Sequence, residues 1–346
     1  MFYFDADAYQ KLNNYIENQD ISSIIVIDDE HTHDFCLPVF KDKINFSFNI
    51  ITIKAGDKHK NLETLQYIWN KLIEFNADRN SLIINLGGGV ITDIGGFAAS
   101  TFKRGVKFIH IPTTLLSMVD ASIGGKNGIN FGGAKNQIGN INLPEMILID
   151  KHFLKTLPQN ELLSGFAEML KHGLIADANY WYELIENKVL QENILNDNFS
   201  QLIERSIQIK NSIVKQDPYE KGIRKTLNFG HTLGHAIESY SYQTNNILTH
   251  GHAVAIGMIL AAHLSYQNNL LEFTNVNRIK NVLTDIYNIP SYNSSNISQI
   301  IDYLKYDKKN IGGKTRFVLL KAIGTPIINQ FIETEHIKKA FEYIND

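Results

Sequence analysis

Residues 227–238 read LNFGHTLGHAIE, with His231 and His235 four positions apart and each preceded by glycine. On a helix that spacing places both imidazoles on one face, where they can bind a metal, move a proton or simply pack. GFAEMLKHG (165–173) sets Glu168 and Lys171 three apart, again on one helical face. A carboxylate in so apolar a segment needs a partner. HGHAVAIGM (250–258) places His250 just before a glycine and a strongly apolar run. Catalytic zinc takes three protein ligands and keeps one position open, and two imidazoles with one carboxylate would meet that need. By chemistry alone the i, i+4 pair His231 and His235 is the first choice, with His250 and His252 as spares. The other histidines of the twelve (His31, His33, His59, His110, His152, His172, His263 and His336) read as packed or surface residues.

A second chemistry lies upstream. GGGVITDIGG (87–96) follows an apolar run and precedes the helix-like FAAST. Small residues there let backbone N–H groups approach an anion at a helix N-terminus. The loop is not the G-x-G-x-x-G fingerprint, because Thr92 holds the last position, and a plain tight turn is the competing reading. PTT (112–114) ends the next apolar run. Neighbouring strand ends in an open α/β sheet share one ligand crevice, so the two loops together favour a dinucleotide. Residues 120–139, DASIGGKNGIN and FGGAKNQIG, embed Asp120, Lys126, Lys135 and Asn136 among glycines that discourage a helix. They form either a polar loop at a domain junction or a pocket for an anionic, hydroxylated substrate.

The elements that must carry these residues alternate in the first half. ISSIIVID (21–28), SLIINL (81–86), VKFIHIPTT (106–114) and MILID (146–150) read as strands, and NLETLQYIWNKLIEF (61–75) as a helix. Such alternation predicts a parallel α/β sheet. Beyond about residue 150 the period is helical through LLSGFAEMLKHGLI, FSQLIERSIQIKNSIV, FGHTLGHAIESY and HAVAIGMILAAHLSY. The expectation is an α/β domain over 1–150 and a mostly α-helical domain over 151–346. SYNSSNIS (291–298) reads as a loop before a final helix. A net charge of −3 gives no case for nucleic acid. One cysteine, Cys36, excludes an internal disulfide framework and suits a reducing compartment. The acidic N-terminus does not suit a signal peptide, and the longest apolar run, 253–264, is too short to span a bilayer. The expectation is a cytoplasmic enzyme or binding protein.

Seven segments, GGGVITDIGGF, RGVKFIHIPTTLLSMVDASIGGKNGIN, KNQIG, GFAEMLKHG, LNFGHTLGHAIE, HGHAVAIGM and DKKN…VLLKAIG, occur collinearly over about residues 50–325. In this order they resemble the 3-dehydroquinate synthase family. The resemblance implies a Rossmann-like, mostly parallel N-terminal sheet, a helical C-terminal domain and an active site in the cleft between them. It implies one divalent metal, zinc or alternatively cobalt, on Glu168, His231 and His250, with His235 facing substrate instead. Substrate residues carried over are Arg104, Lys126, Asn136, Lys171, Lys210, Arg224, Asn228, His235, Lys308 and Lys309. Of these Lys126, Lys171, Arg224, Asn228 and His235, together with Asp120, form the implied catalytic group. NAD maps to Asp28, Asp57, Lys60, Gly88, Gly89, Asp93, Thr113, Thr114, Asp120, Lys135, Asn136 and Thr156. Arg104 matches an arginine that reaches the neighbouring subunit's site in a homodimer. Three positions depart from the pattern: Asp57 and His252 replace common glutamates, and Thr92 a common glycine.

The implied reaction turns 3-deoxy-D-arabino-heptulosonate 7-phosphate into 3-dehydroquinate and phosphate. NAD takes a hydride from C5, the C6 proton becomes acidic, phosphate leaves from C7, the hydride returns, and an intramolecular aldol step closes the ring. Rivals are a sister cyclase making a valiolone or an inosose, a metal-dependent alcohol or glycerol dehydrogenase, and a non-catalytic binding protein. Lys210, Arg224 and Asn228 argue against the first, the PTTLLSMVDASIGGK and KNQIG segments against the second, and the full set of matched positions against the third.

Overall fold

The computed structural model describes residues 2–186, 190, 194–244, 246–304 and 315–345. Met1–Pro158 and Gln159–Asp346 each form a compact unit. The first holds strands β1 (Phe2–Phe4), β2 (Ile24–Asp29), β3 (Asn49–Ile53), β4 (Leu82–Gly87), β5 (Lys107–Pro112), β6 (Lys126–Phe131), β7 (Ala134–Ile141) and β8 (Met146–Ile149). Six of them make one sheet in the order β1-β8-β5-β4-β2-β3, every neighbouring pair parallel. β2 and β4 are buried almost throughout, as expected of strands covered on both faces, which therefore read as unbroken apolar runs. From β2 the chain moves outward to β3, then returns to build β4, β5 and β8 on the other side. The strand order thus reverses between β2 and β4, and the carboxyl ends of those two strands flank the crevice where such sheets take ligands.

The predicted strands within 21–28, 81–86, 106–114 and 146–150 correspond to β2, β4, β5 and β8, and the predicted helix to Leu62–Glu74. The polar stretch 120–139 is not a loop. It opens with a π-helical turn at Ser117–Ala121 and continues as the antiparallel hairpin β6–β7. Gly132 and Gly133, at φ of 60° and 77°, make the tight reversal. Gly128 and Gly139 let the strands approach, since a Cβ on Gly139 would lie 2.1 Å from the Asn127 carbonyl.

In the second unit three of the predicted helical segments lie within Gln159–Ala176, Asp197–Gln216 and His250–Gln267, and the fourth, FGHTLGHAIESY, becomes helix only from His231, in His231–Ser241. His250–Gln267 is its axis, buried without a break from Ala253 to Ser265. It packs against Gln159–Ala176 and His231–Ser241. A hairpin of β9 (Arg316–Ala322) and β10 (Thr325–Phe331) lies outside the helical expectation. Part of the loop expected at 291–298 is helix, since Ser294–Leu304 starts inside it. Asn293 and Asn296 exchange side-chain-to-backbone hydrogen bonds of 2.9 and 3.0 Å, the reciprocal arrangement of a capping box. Among the described residues no helix is long and apolar enough to cross a membrane.

Candidate active site

Three helices bring the second unit's chemistry to one point. Glu168 lies in the middle of Gln159–Ala176, His231 at the first position of its helix and His250 at the first position of the central helix. Glycine permits the crossings that align them. Gly251 meets the helix Gln159–Ala176 at Ser164, where a Cβ would lie 2.3 Å from the Ser164 Cα, and its N–H donates to Ser164 Oγ at 2.9 Å. Gly230 turns the chain into the helix of His231 with φ of 76°. Gly257 lies so close to that entry that a Cβ on it would come within 1.9 Å of the Gly230 carbonyl.

At the point of convergence His231 Nε2 and His250 Nε2 stand 3.3 and 3.5 Å from the same oxygen, Glu168 Oε1. Glu168 is wholly buried, and neither of its oxygens has a hydrogen bond of acceptable geometry. Lys171, also buried, forms an ion pair with Oε2. Burial pushes the Glu168 carboxyl up, but the Lys171 charge and then His231 outweigh it and hold the group well below the usual range. Burial and the Lys171 charge hold His231 down at about 4. Burial also opposes a charge on His250, yet the neighbouring carboxylates of Glu168 and Glu238 push it up to about 10. Both nitrogens that face Glu168 are of the Nε2 type, because each Nδ1 is engaged behind: His231 Nδ1 with the Phe229 carbonyl at 3.1 Å, His250 Nδ1 with Glu238 Oε2 at 3.3 Å. An ionised carboxylate and two imidazoles, each engaged at Nδ1 from behind and turning Nε2 to one point, is a donor set for a single divalent cation.

His235 projects one turn beyond His231 and is exposed. Its ring centroid lies 5.2 Å from that of His231 and 5.7 Å from that of His250. Ligand atoms of His231, His235 and His250 all fall within 4.8 Å of one another, so the i, i+4 pair is also geometrically competent. No ion pair between His235 and Glu168 occurs among the described residues, whereas both other histidines make one.

The segment leading into this helix carries Arg224 and Asn228. Asp217 folds it by accepting backbone N–H bonds from Lys221, Gly222 and Arg224 at 2.9, 2.6 and 3.1 Å. Buried Arg224 donates from Nη1 to the Pro218 carbonyl at 2.5 Å, and Asn228 Nδ2 donates to Glu220 Oε1 at 2.6 Å. Lys210 is buried on Asp197–Gln216, a helix packed against both Gln159–Ala176 and the turn Ile223–Asn228. Lys308 and Lys309 lie outside the described residues.

In the first unit the hairpin tip knits five of the positions matched to NAD. Lys60 Nζ donates to Asp93 Oδ2 at 2.9 Å and to Asn136 Oδ1 at 2.6 Å, and stands 3.7 Å from Asp57 Oδ1. Lys135 Nζ is 3.5 Å from Asp57 Oδ2. Gly88 and Gly89 open the helix Gly89–Thr101, whose first turn has no side-chain cap. A Cβ on Gly88 would approach Thr114 Cγ2 to 3.0 Å, and Thr113 N–H donates to the Gly87 carbonyl at 3.1 Å. Thr92 stands inside the helix, not in the turn, and its hydroxyl donates to the Gly89 carbonyl at 3.2 Å. Asp28 ends the fully buried part of β2 and takes His33 Nδ1 at 3.0 Å. Asp120 lies in the π-helical turn, and Lys126 is exposed at the head of β6. Thr156 is apart from the hairpin group, lining a cleft with Ala6, Tyr9, Lys43 and His152. Arg104 is exposed in a turn where it and Lys103 both take left-handed backbone, φ 70° and 49°.

Two residues were invisible to sequence reasoning. Asn130 donates to the Asp57 carbonyl and to Asp57 Oδ2 at 3.0 and 3.1 Å, and accepts from Asn136 N–H at 2.9 Å. Glu238 backs His250. Its signal was a lone carboxylate in an apolar helix, seven residues after His231 and on the same face.

A family model described as 3-dehydroquinate synthase N-terminal matches residues 50–164, and one described as 3-dehydroquinate synthase C-terminal matches 165–310. A 3-dehydroquinate synthase of Parabacteroides distasonis is 38% identical over 343 residues, 98% of this chain and 96% of the relative. A solved 2-deoxy-scyllo-inosose synthase, complexed with carbaglucose-6-phosphate, NAD+ and Co2+, superposes with a TM-score of 0.83 at 25% identity, covering 99% of this chain and 96% of the other. The 2-epi-5-epi-valiolone synthase of Streptomyces hygroscopicus, with NAD+ and Zn2+ bound, gives 0.86 at 24% identity over the same shares.

Proposed function

The chain belongs to the 3-dehydroquinate synthase family, and from that premise we propose that it converts 3-deoxy-D-arabino-heptulosonate 7-phosphate to 3-dehydroquinate and phosphate. The observation that carries the reading is Glu168, a buried ionised carboxylate with two histidine Nε2 atoms converging on one of its oxygens. Bound NAD would supply a transient hydride acceptor regenerated within each cycle, and a bound zinc or cobalt ion Lewis acidity toward the C5 oxygen.

The chain's own residues do the rest. Glu168, His231 and His250 hold the ion, and Lys171 keeps Glu168 ionised. His235 holds or moves a proton at the substrate hydroxyl, a role suited to an imidazole near neutral pH. Lys210, Arg224 and Asn228 grip the anionic groups of the substrate, since Arg and Lys pair strongly with carboxylate and phosphate. Lys126 and Asn136 are substrate residues carried by the α/β unit. Gly88 and Gly89 leave room for a pyrophosphate at an uncapped helix start, a cradle that a Cβ would narrow. Asp28, Asp57, Lys60, Asp93, Thr113, Thr114, Asp120, Lys135 and Thr156 complete the cofactor set. The substrate's own phosphate can take the C6 proton, so no dedicated protein base is required. The enzyme works in the cytoplasm as a homodimer, with Arg104 presented to the partner.

The test is phosphate release from the heptulosonate phosphate with substoichiometric NAD and added zinc. Phosphate in many-fold excess over NAD is expected. Stoichiometric NADH without phosphate would replace this reading with a dehydrogenase. Mixing an Arg104→Ala protein with a Lys171→Ala protein tests the dimer, and restored activity is expected.

A further inference from the structure

We propose that Glu238 is the residue that positions His250 for metal binding. The inference rests on the metal-site reading above. His250 begins its helix, so no preceding turn of that helix confines its ring. The ring is held from behind by one carboxylate oxygen, Glu238 Oε2, at 3.3 Å from Nδ1. Glu238 is 4% exposed and comes from the neighbouring helix His231–Ser241, the one that also starts with His231. One short helix therefore supplies a metal-facing imidazole at its first position and the support for the other imidazole two turns later.

The nearer candidate is occupied elsewhere. His252 Nδ1 pairs with Thr249 Oγ1 at 2.7 Å, and its ring meets the Tyr287 ring edge-on at 5.1 Å. His231 needs no such side chain, because the Phe229 carbonyl takes its Nδ1. The two imidazoles thus differ: one is supported by the backbone and cannot lose its support to a substitution, the other depends on Glu238. A carboxylate on Nδ1–H fixes the tautomer that leaves Nε2 free and makes that nitrogen more basic, and losing such a partner commonly costs about 10- to 100-fold in metal affinity.

The experiment measures zinc affinity by competition with a chromophoric chelator for the parent, Glu238→Ala and Glu238→Gln, beside the visible spectrum of the cobalt-loaded proteins. Glu238→Ala should bind zinc about 10- to 100-fold more weakly, with a changed cobalt spectrum. Its kcat should return toward the parent's at saturating metal, with KM for substrate unmoved. Glu238→Gln keeps an acceptor but loses the charge, and should fall between the two. Parent-like zinc affinity and cobalt spectrum in a Glu238→Ala protein that merely melts earlier would overturn the proposal. Should Glu238→Ala fail to fold, unchanged affinity in Glu238→Gln overturns it. A parent protein that binds no divalent metal would instead remove the metal-site reading itself, an outcome distinct from a parent that binds tightly with indifferent variants.

Discussion

The two units build their sites from different materials. The helical unit uses side chains: Glu168, Lys171, His231, His250 and Glu238 are charged or titratable groups carried on helices locked at glycine crossings. The α/β unit relies more on backbone and topology, with the reversal between β2 and β4 and the uncapped start of Gly89–Thr101, and adds one side-chain network that ties Lys60 to Asp93 and Asn136. A side-chain site is intolerant of losing a central group such as Glu168, because its buried charge neutralises that of Lys171. A backbone site spreads its contacts, so single substitutions there should weaken binding without collapsing the unit.

The sharpest break comes from Glu168→Ala. It leaves Lys171 buried without its carboxylate, and removing one member of a buried pair costs about 3–5 kcal/mol. Zinc binding and turnover should both vanish, and a variant retaining zinc at parent affinity would refute the side-chain account. Next is Gly257→Ala, whose Cβ would strike the Gly230 carbonyl. Overpacking of this kind costs about 1–3 kcal/mol, read as a lower urea midpoint together with weaker zinc binding.

Acid sensitivity in the α/β unit should arise in its interior. His110 is buried beside Asn85 and Phe108, and burial holds it down at about 3. Unfolded, it protonates near 6.5, so below that pH the unfolded chain binds the extra proton. Its stabilising contribution is complete above 6.5 and is lost as pH falls toward 3, by about 1.4 kcal/mol per pH unit. Urea midpoints at pH 7 and pH 5 should diverge less in His110→Gln than in the parent.

Lys60→Ala should weaken NAD about tenfold, a loss within the range of hydrogen bonds to charged groups, while zinc affinity stays put. Movement of the zinc constant would dissolve the contrast between the units. Smallest of all is His252→Glu. With Glu238 already behind His250, zinc affinity should change by less than about 0.5 kcal/mol, as for substitutions away from a critical contact.

What was legible in the sequence follows the same division. Buried strands such as β4 are continuous apolar runs, and the residue types of the metal constellation announce their chemistry. β1 is only three residues long, too short to show a period. The β6–β7 hairpin was hidden because its glycines, poor strand formers in isolation, are there for close strand approach. The helix at Ser294 was hidden in an Asn/Ser-rich run whose asparagines are caps. Spacing alone could not show that His231 and His250 both meet Glu168, because that contact comes from Gln159–Ala176, more than fifty residues upstream.

The Gly251–Ser164 crossing has a consequence for how this chain can change length. It pins the helix Gln159–Ala176 one turn ahead of Glu168. A single residue inserted between Ser164 and Glu168 would rotate the carboxylate by about 100° around the helix axis, away from both imidazoles. The three positions between Ser164 and Glu168 form a register that neither insertion nor deletion can enter without dismantling the site, whereas surface loops can drift in length freely.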